Sequence, residues 1–332
     1  MRKVTMMDIA KIANVSKTTV SMVINNRDSG ISKETRKKIL DIAEELNYIP
    51  NSLARSLSTK KSGTIGIILP DITNPYFSEM ARAIEDVANS LGHNVIFCNT
   101  DNEEIKEEKY TRLLLSKAVD GIIFISGGES TKSIEMLKKN NVKFVMVDRP
   151  IKTDKNSYGI YSLNKKGVIN GMNYLLNKNI KKIAFVKGPK RLENTKERFN
   201  GYKEVMELHN LYKESYVYEG DFTIESGIEV TEEIIKENPN IEAIFYSNDM
   251  MAFGGIKVLL KNGYKIPKDI AIMGFDNINI SKYIEPELTT IAQPIYSMGK
   301  EACKMLIAVI NGDEKIKRQI FFDTELIVRK TV

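Results

Sequence analysis

An α/β chain is what this sequence predicts: a short all-α helix-turn-helix head, then a two-lobed domain of doubly wound parallel sheets. Three observations predict it. Apolar residues recur at helical spacing behind Ser/Thr caps over residues 5–46. From residue 64 short apolar strands alternate with amphipathic stretches, and the strands lack the polar–apolar alternation of a sheet with one wet face. The strand–helix run then begins again near residue 164, which makes two lobes with a cleft between them, the arrangement of a small-ligand-binding domain.

The head reads as three helices. Thr5 caps the first, with Asp8 three residues on as in a capping box, and Ile9, Ala10, Ile12 and Ala13 are its apolar residues. The turn "NVS" follows, and Ser16 caps the second helix. Ser32 caps the third, where Glu34 occupies the first turn and Ile39, Ile42, Ala43 and Leu46 face inward. Helix, tight turn, helix and packing helix is the layout of a DNA reader.

Residues 47–63, "NYIPNSLARSLSTKKSG", start with a proline and end in a basic Ser/Gly linker. Leu53, Ala54 and Leu57 share one helical face there, but about eight residues are too few for a stable helix in water without a partner. The strand candidates that follow are "TIGIIL", "NVIFCN", "GIIFIS", "KFVMVD", "KIAFVK", "YVYEG", "AIFYSN" and "IAIMGFD". The expected division is 1–50 for the head, 51–62 for hinge and linker, and 63–332 for the lobes. Lobe one takes about 63–162 plus 292–320, and lobe two about 163–291 plus 321–332.

Charge separates the two parts by function. Residues 1–60 hold 11 Lys/Arg against 6 Asp/Glu, whereas the remainder holds 38 against 37. The excess points to a polyanionic partner for the head alone, or to a solvated basic face. Two cysteines, Cys98 and Cys303, have no Cys or His at metal-ligand spacing, so no metal or cofactor is called. No apolar run approaches the roughly 20 residues that span a bilayer, and the N-terminus lacks an apolar signal core; a cytoplasmic location is expected.

On the second helix, positions 17, 18, 21, 22 and 25 share a face made of Lys17, Thr18, Ser21, Met22 and Asn25. Val20, Val23 and Ile24 lie opposite and can pack on the other helices. Short hydroxyls reach phosphates or base edges, lysine reaches guanine O6/N7, and Met22 can lie against a thymine methyl. The alternative is an ordinary solvent-exposed helix. In the lobes, ligands bind beyond the carboxyl ends of parallel strands. Asp148, Asn248 and Asp276 stand at such ends, while Asp249 reads as a helix cap or an ion-pair partner.

The segments "VTMMDIAKIANVSKTTVSMVINN", "ISKETRKKILDIAEELNYIPNSLARSL" and "TIGIILPDITNPYFSEMARAIEDVA" resemble the lactose/galactose repressor (LacI-type) family of bacterial transcription regulators, as do "KKIAFVKGP", "GDFTIESG", "SNDMMAFG", "IPKDIAIMGFDN" and "PELTTIAQP". The resemblance spans essentially the whole chain. It implies a periplasmic-binding-protein-like domain after the head, a homodimer, a pseudo-palindromic operator and a sugar-like effector in the cleft. It also implies DNA contacts from Thr5, Ser16, Lys17, Thr18, Thr19, Ser21, Met22 and Asn25, and a hinge helix at 51–58 with Asn51, Ala54 and a minor-groove lever at Leu57. To the ligand residues it adds Tyr76, Phe77, Arg198, Phe222 and Gln293. One position departs from the family: "TVSMV" has Met22 where most members carry an arginine that reads guanine, which puts the usual operator sequence in doubt.

Other classes fit less well. "TIGIIL" runs into "PDITNP" rather than a Gly-rich phosphate loop, and no nucleophile elbow is present, so a dinucleotide enzyme or hydrolase is not expected. An exported sugar-binding protein would not need the basic head. A regulator that senses a phosphorylated carrier protein, as the catabolite-control branch of the family does, remains the alternative to a free sugar.

Overall fold

The computed structural model describes residues 4–49, 61–125, 131–149, 156–313 and 315–332. The chain divides into two compact units at 62/63.

The first unit contains α1 (Met6–Ala13), α2 (Lys17–Ile24) and α3 (Lys33–Glu45). Ile9, Val20, Val23 and Ile39 are fully buried and, with Ala10, Ala13, Ile42 and Ala43, form its core. Ile12 faces solvent at 56% exposure, off the core stripe. The turn between α1 and α2 closes because Asn14 adopts a left-handed conformation (φ 57°), which Asn tolerates better than most residues. Ser16 then accepts the Thr19 N–H at 3.0 Å and caps α2. The described part of the second unit begins at Gly63; the linker call over 50–60, including Asn51, Ala54 and Leu57, lies outside the described residues.

The second unit holds two six-stranded sheets. The first has the order β11-β5-β4-β3-β1-β2, built from β1 (Thr64–Leu69), β2 (Asn94–Asn99), β3 (Gly121–Phe124), β4 (Lys143–Val147), β5 (Gly159–Ser162) and β11 (Gln319–Phe322), all parallel. The second has the order β12-β10-β9-β8-β6-β7, from β6 (Ile183–Lys187), β7 (Val217–Glu219), β8 (Ala243–Tyr246), β9 (Ala271–Asp276), β10 (Thr289–Ala292) and β12 (Glu325–Ile327). Only its edge strand β12 is antiparallel. Between strands run α4 (Pro75–Ser90), α5 (Glu104–Ser116), α6 (Thr131–Lys139), α7 (Asn164–Asn177), α8 (Glu193–Leu208), α9 (Ile224–Glu237), α10 (Asp249–Lys261) and α11 (Ile295–Ile310).

Both faces of each sheet are covered, which is why the strands read as unbroken apolar runs. In β1, Ile65, Ile67 and Leu69 pack with Met80, Ile84, Met298 and Leu306, whereas Ile68 packs on the opposite side with Leu114, Phe124 and Tyr161. In lobe two, Phe185, Phe245 and Phe275 lie on one face and Val186, Ile244 and Ile272 on the other. The chain passes between lobes three times, after β5, after β10 and between β11 and β12. β11 runs to Phe322, so lobe one takes Phe321 and Phe322, two residues expected in lobe two.

Candidate functional site

Parallel strands of both lobes end at the interlobe cleft, and the local backbone is unusual there. Asp148 after β4 (φ 67°), Phe222 after β7 (φ 75°) and Asp276 at the end of β9 (φ 116°) all adopt positive φ. Side chains other than glycine, Asn and Asp enter that region at a cost of about 1–3 kcal/mol, and such residues gather at ligand clamps. Phe222 is held by Asn248, whose Nδ2 donates to its carbonyl at 2.9 Å. Gly188 makes room for its ring, because a Cβ there would lie 2.1 Å from Phe222 Cζ.

The cleft collects Tyr76, Phe77, Asp148, Arg198, Phe222, Asn248 and Asp276 along its wall, and Gln293 is bonded into the same network. Tyr76 and Phe77 sit in the first turn of α4, where Asn74 accepts the Tyr76 N–H at 3.0 Å. The Tyr76 hydroxyl donates to Asp148 Oδ1 at 2.9 Å and approaches Gln293 Oε1 at 3.4 Å. Gln293 Nε2 donates to Asp276 Oδ1 at 2.8 Å. A chain of polar contacts thus connects a carboxylate of lobe one to a carboxylate of lobe two through the segment that crosses between them.

Arg198, buried on α8, donates Nε to Asn164 Oδ1 at 2.8 Å and Nη1 to the Ser247 carbonyl. Its Nη2 stands 3.6 Å from Asp276 Oδ1, and its guanidinium stacks 3.8 Å from the Phe275 ring centre. Burial pushes the Asp276 carboxyl well above the ordinary range, opposed by the nearby Arg198 charge. Burial also raises the Tyr76 phenol, helped by the Asp148 charge beside it. The phenol therefore stays a hydrogen-bond donor.

Sequence reasoning missed four residues of this wall: Asn74, Asn102, Arg149 and Asn194. Arg149 follows Asp148 directly and is equally buried. Its Nη1 donates to Asn102 Oδ1 at 3.2 Å, and its Nε lies 3.7 Å from Asp148 Oδ2. Asn194 was legible from its spacing, one turn before Arg198 on the same face of α8. Two strand-end residues also differ in role from the reading above. Asn248 borders the cleft, but it is the cap of α10: its Oδ1 accepts the Met251 N–H at 3.0 Å. Asp249 does not cap the helix and pairs with no cation. It accepts from Thr290 Oγ1 at 2.6 Å, Ser281 Oγ at 2.7 Å and the Ile278 N–H at 3.0 Å, and so ties α10 to β10 inside lobe two.

In the head, Lys17, Thr18 and Met22 are exposed on α2 while Val20 and Val23 are buried. Ser21 and Asn25 are half-buried, with Asn25 Nδ2 donating to the Ser21 carbonyl at 2.7 Å. Ser16 and Thr19 share a hydroxyl contact of 2.8 Å, and the Thr5 hydroxyl donates to Asp8 at 2.7 Å. The free groups on that face are therefore an ammonium, the Thr18 hydroxyl and a thioether. Among the described residues no cluster of His, Cys, Asp and Glu could hold a metal ion, and no helix is long and apolar enough to cross a membrane.

Comparison with known proteins agrees with this architecture. Residues 5–51 match the family described as bacterial regulatory proteins, lacI family, and residues 172–332 match the periplasmic binding protein-like domain. The ribose operon repressor of Halalkalibacterium halodurans is 39% identical over 98% of this chain and 96% of its own. The lac repressor dimer bound to operator and the anti-inducer ONPF superposes with a TM-score of 0.88 at 27% identity, covering 99% of each chain. A LacI family transcriptional regulator from Enterococcus faecium with bound ribose gives 0.74 at 31% identity, covering 81% of this chain and 98% of that one. These relatives regulate transcription and are not enzymes. The chain belongs to the lacI family of bacterial regulatory proteins.

Proposed function

We propose that this regulator represses carbohydrate-utilisation genes from the cytoplasm and that its effector is a neutral pentose, ribose or a close analogue, held in the interlobe cleft. The observation that carries the reading is charge balance. Asp148 and Asp276 face Arg149 and Arg198, all four at most 5% exposed. Two buried anions against two buried cations suit an uncharged ligand that offers several hydroxyls. Paired oxygens and guanidinium nitrogens bind vicinal hydroxyls, and Phe77 and Phe222 cover the apolar faces of a ring. The relatives support the same sugar, since one is named for the ribose operon and another holds ribose. The family resemblance to lactose and galactose repressors does not extend to their ligands in this reading.

The head supplies the DNA contacts. A homodimer sets two copies of α2 against a pseudo-palindromic operator, with Lys17 and Thr18 toward phosphates or base edges and Met22 toward an apolar base edge. Thr5, Ser16, Thr19, Ser21 and Asn25 hold that helix in register as well as reaching the backbone. Asn51, Ala54 and Leu57 belong to the same proposal as a hinge that bends the duplex.

Thermal-shift titration against ribose, ribose 5-phosphate, hexoses and nucleosides tests the ligand. Stabilisation by ribose that is lost in Asp276→Ala is the expected result. A response to the phosphorylated sugar alone would overturn the neutral-ligand reading. A response to no sugar, with operator binding instead requiring a phosphorylated carrier protein, would favour the alternative.

A further inference from the structure

The two lobes touch each other directly at the mouth and floor of the cleft, through groups that a ligand does not need to supply. Asn194, on α8 of lobe two, donates Nδ2 to Asp148 Oδ2 of lobe one at 3.2 Å. The amide orientation is fixed independently, because Asn194 Oδ1 accepts the Thr195 N–H at 2.9 Å and a carboxylate can only accept. Both Asn194 and Asp148 are buried. At the mouth, Arg191 Nη2 of lobe two donates to the Asn102 carbonyl of lobe one at 3.4 Å, and Asn102 Oδ1 is in turn held by Arg149.

We propose that Asn194 is a positioning residue of the cleft: it latches lobe two onto Asp148, with Arg191 as a second catch, so that the lobes close on an empty site. This deepens the effector reading above, since the latch acts on the same site. Its physical basis is satisfaction of a buried anion. An open cleft leaves Asp148 to water on the side that Asn194 covers, and closure replaces that water with an amide already oriented by its own backbone. A sugar then meets a pre-closed site and acts by displacing or reinforcing the latch, rather than by drawing distant lobes together.

Asn194→Asp is the discriminating variant. It is nearly isosteric and keeps the oxygen that accepts the Thr195 N–H, but it sets a carboxylate against Asp148. Spin labels on the exposed Glu104→Cys and Lys190→Cys flank the mouth, and the native Cys98 and Cys303 are buried and unreactive to labelling. Labelled full-length chain is mixed with excess unlabelled chain so that each dimer carries one labelled copy. Pulsed dipolar spectroscopy without sugar should give one short distance in the parent and a longer one in Asn194→Asp. Exchanging the pair, Asn194→Asp with Asp148→Asn, should restore the short distance. Ribose affinity should fall at least tenfold in Asn194→Asp. An empty parent cleft that is open and closes only with ribose would overturn the proposal. So would an Asn194→Asp chain that stays closed. The distances are read without sugar, so a parent that closes empty yet ignores ribose would refute the choice of effector and leave the latch standing.

Discussion

Met22 presents a thioether on a helix face that otherwise offers a hydroxyl and an ammonium, and it is 39% exposed. A side chain with no hydrogen-bond donor cannot select guanine, so Met22→Arg should move operator preference toward guanine at one position per half-site. The gain is about 1–3 kcal/mol of discrimination. Binding-site selection on both proteins reads this directly, and identical profiles would remove Met22 from the base edges. Asp249 allows a second test at this scale. Burial lifts its carboxyl to about 6, against the pull of Thr290, Ser281 and the Ile278 N–H. The folded value lies above that of an unfolded aspartate, about 3.9, so the folded chain keeps a proton that the unfolded chain releases. Stability should therefore rise as pH falls through roughly 6 to 4, and this group's share is about 2–3 kcal/mol. Thermal midpoints from pH 7 to pH 5 should climb more in the parent than in Asp249→Asn. Equal slopes would show that the carboxyl titrates normally.

Elements differed in how plainly the sequence announced them. The eight central strands and the three head helices declare themselves by apolar runs and Ser/Thr caps, because each buries its own stripe or both its faces. β5, β10, β11 and β12 do not. "GIYS", "TTIA", "QIFF" and "ELI" are three or four residues long, and their pairing partners lie far away in the chain. Only tertiary placement beside β4 and β9 makes them strands. The site was legible where a polar residue ends an apolar strand, as at Asp148 and Asp276. It was ambiguous where a cap and a ligand residue look alike, as at Asn248 and Asp249, since both readings ask for a short polar side chain at a helix start. The β6–α8 loop tests the packing around Phe222. Gly188→Ala would drive a methyl into that ring, so ribose affinity should drop roughly tenfold while the thermal midpoint moves by only a few degrees, within the usual reach of about 1 kcal/mol. An unchanged affinity would show that the ring has room to move.

For the whole molecule, a cleft that senses a sugar and a head that grips DNA must be coupled through a shared free energy. Coupling of about 1–3 kcal/mol changes operator affinity some 5–150-fold, and operator must change sugar affinity by the same factor. Ribose titrations with and without operator measure this, and equal affinities would mean two independent binding events on one chain. The threefold crossing between lobes also governs how the molecule is made. The core of lobe one is not complete when β4 leaves the ribosome. Met298, Cys303 and Leu306 of α11 fill it, and they follow Asp148 by about 150 residues of further synthesis, on the order of ten to thirty seconds at bacterial rates. During that interval the half-built lobe exposes the face that α11 will cover, while the head, complete within the first 62 residues, is free to fold first. Nascent chains stalled before residue 295 should therefore show a protease-resistant head and a sensitive lobe one, with a need for chaperones that ends only when α11 emerges.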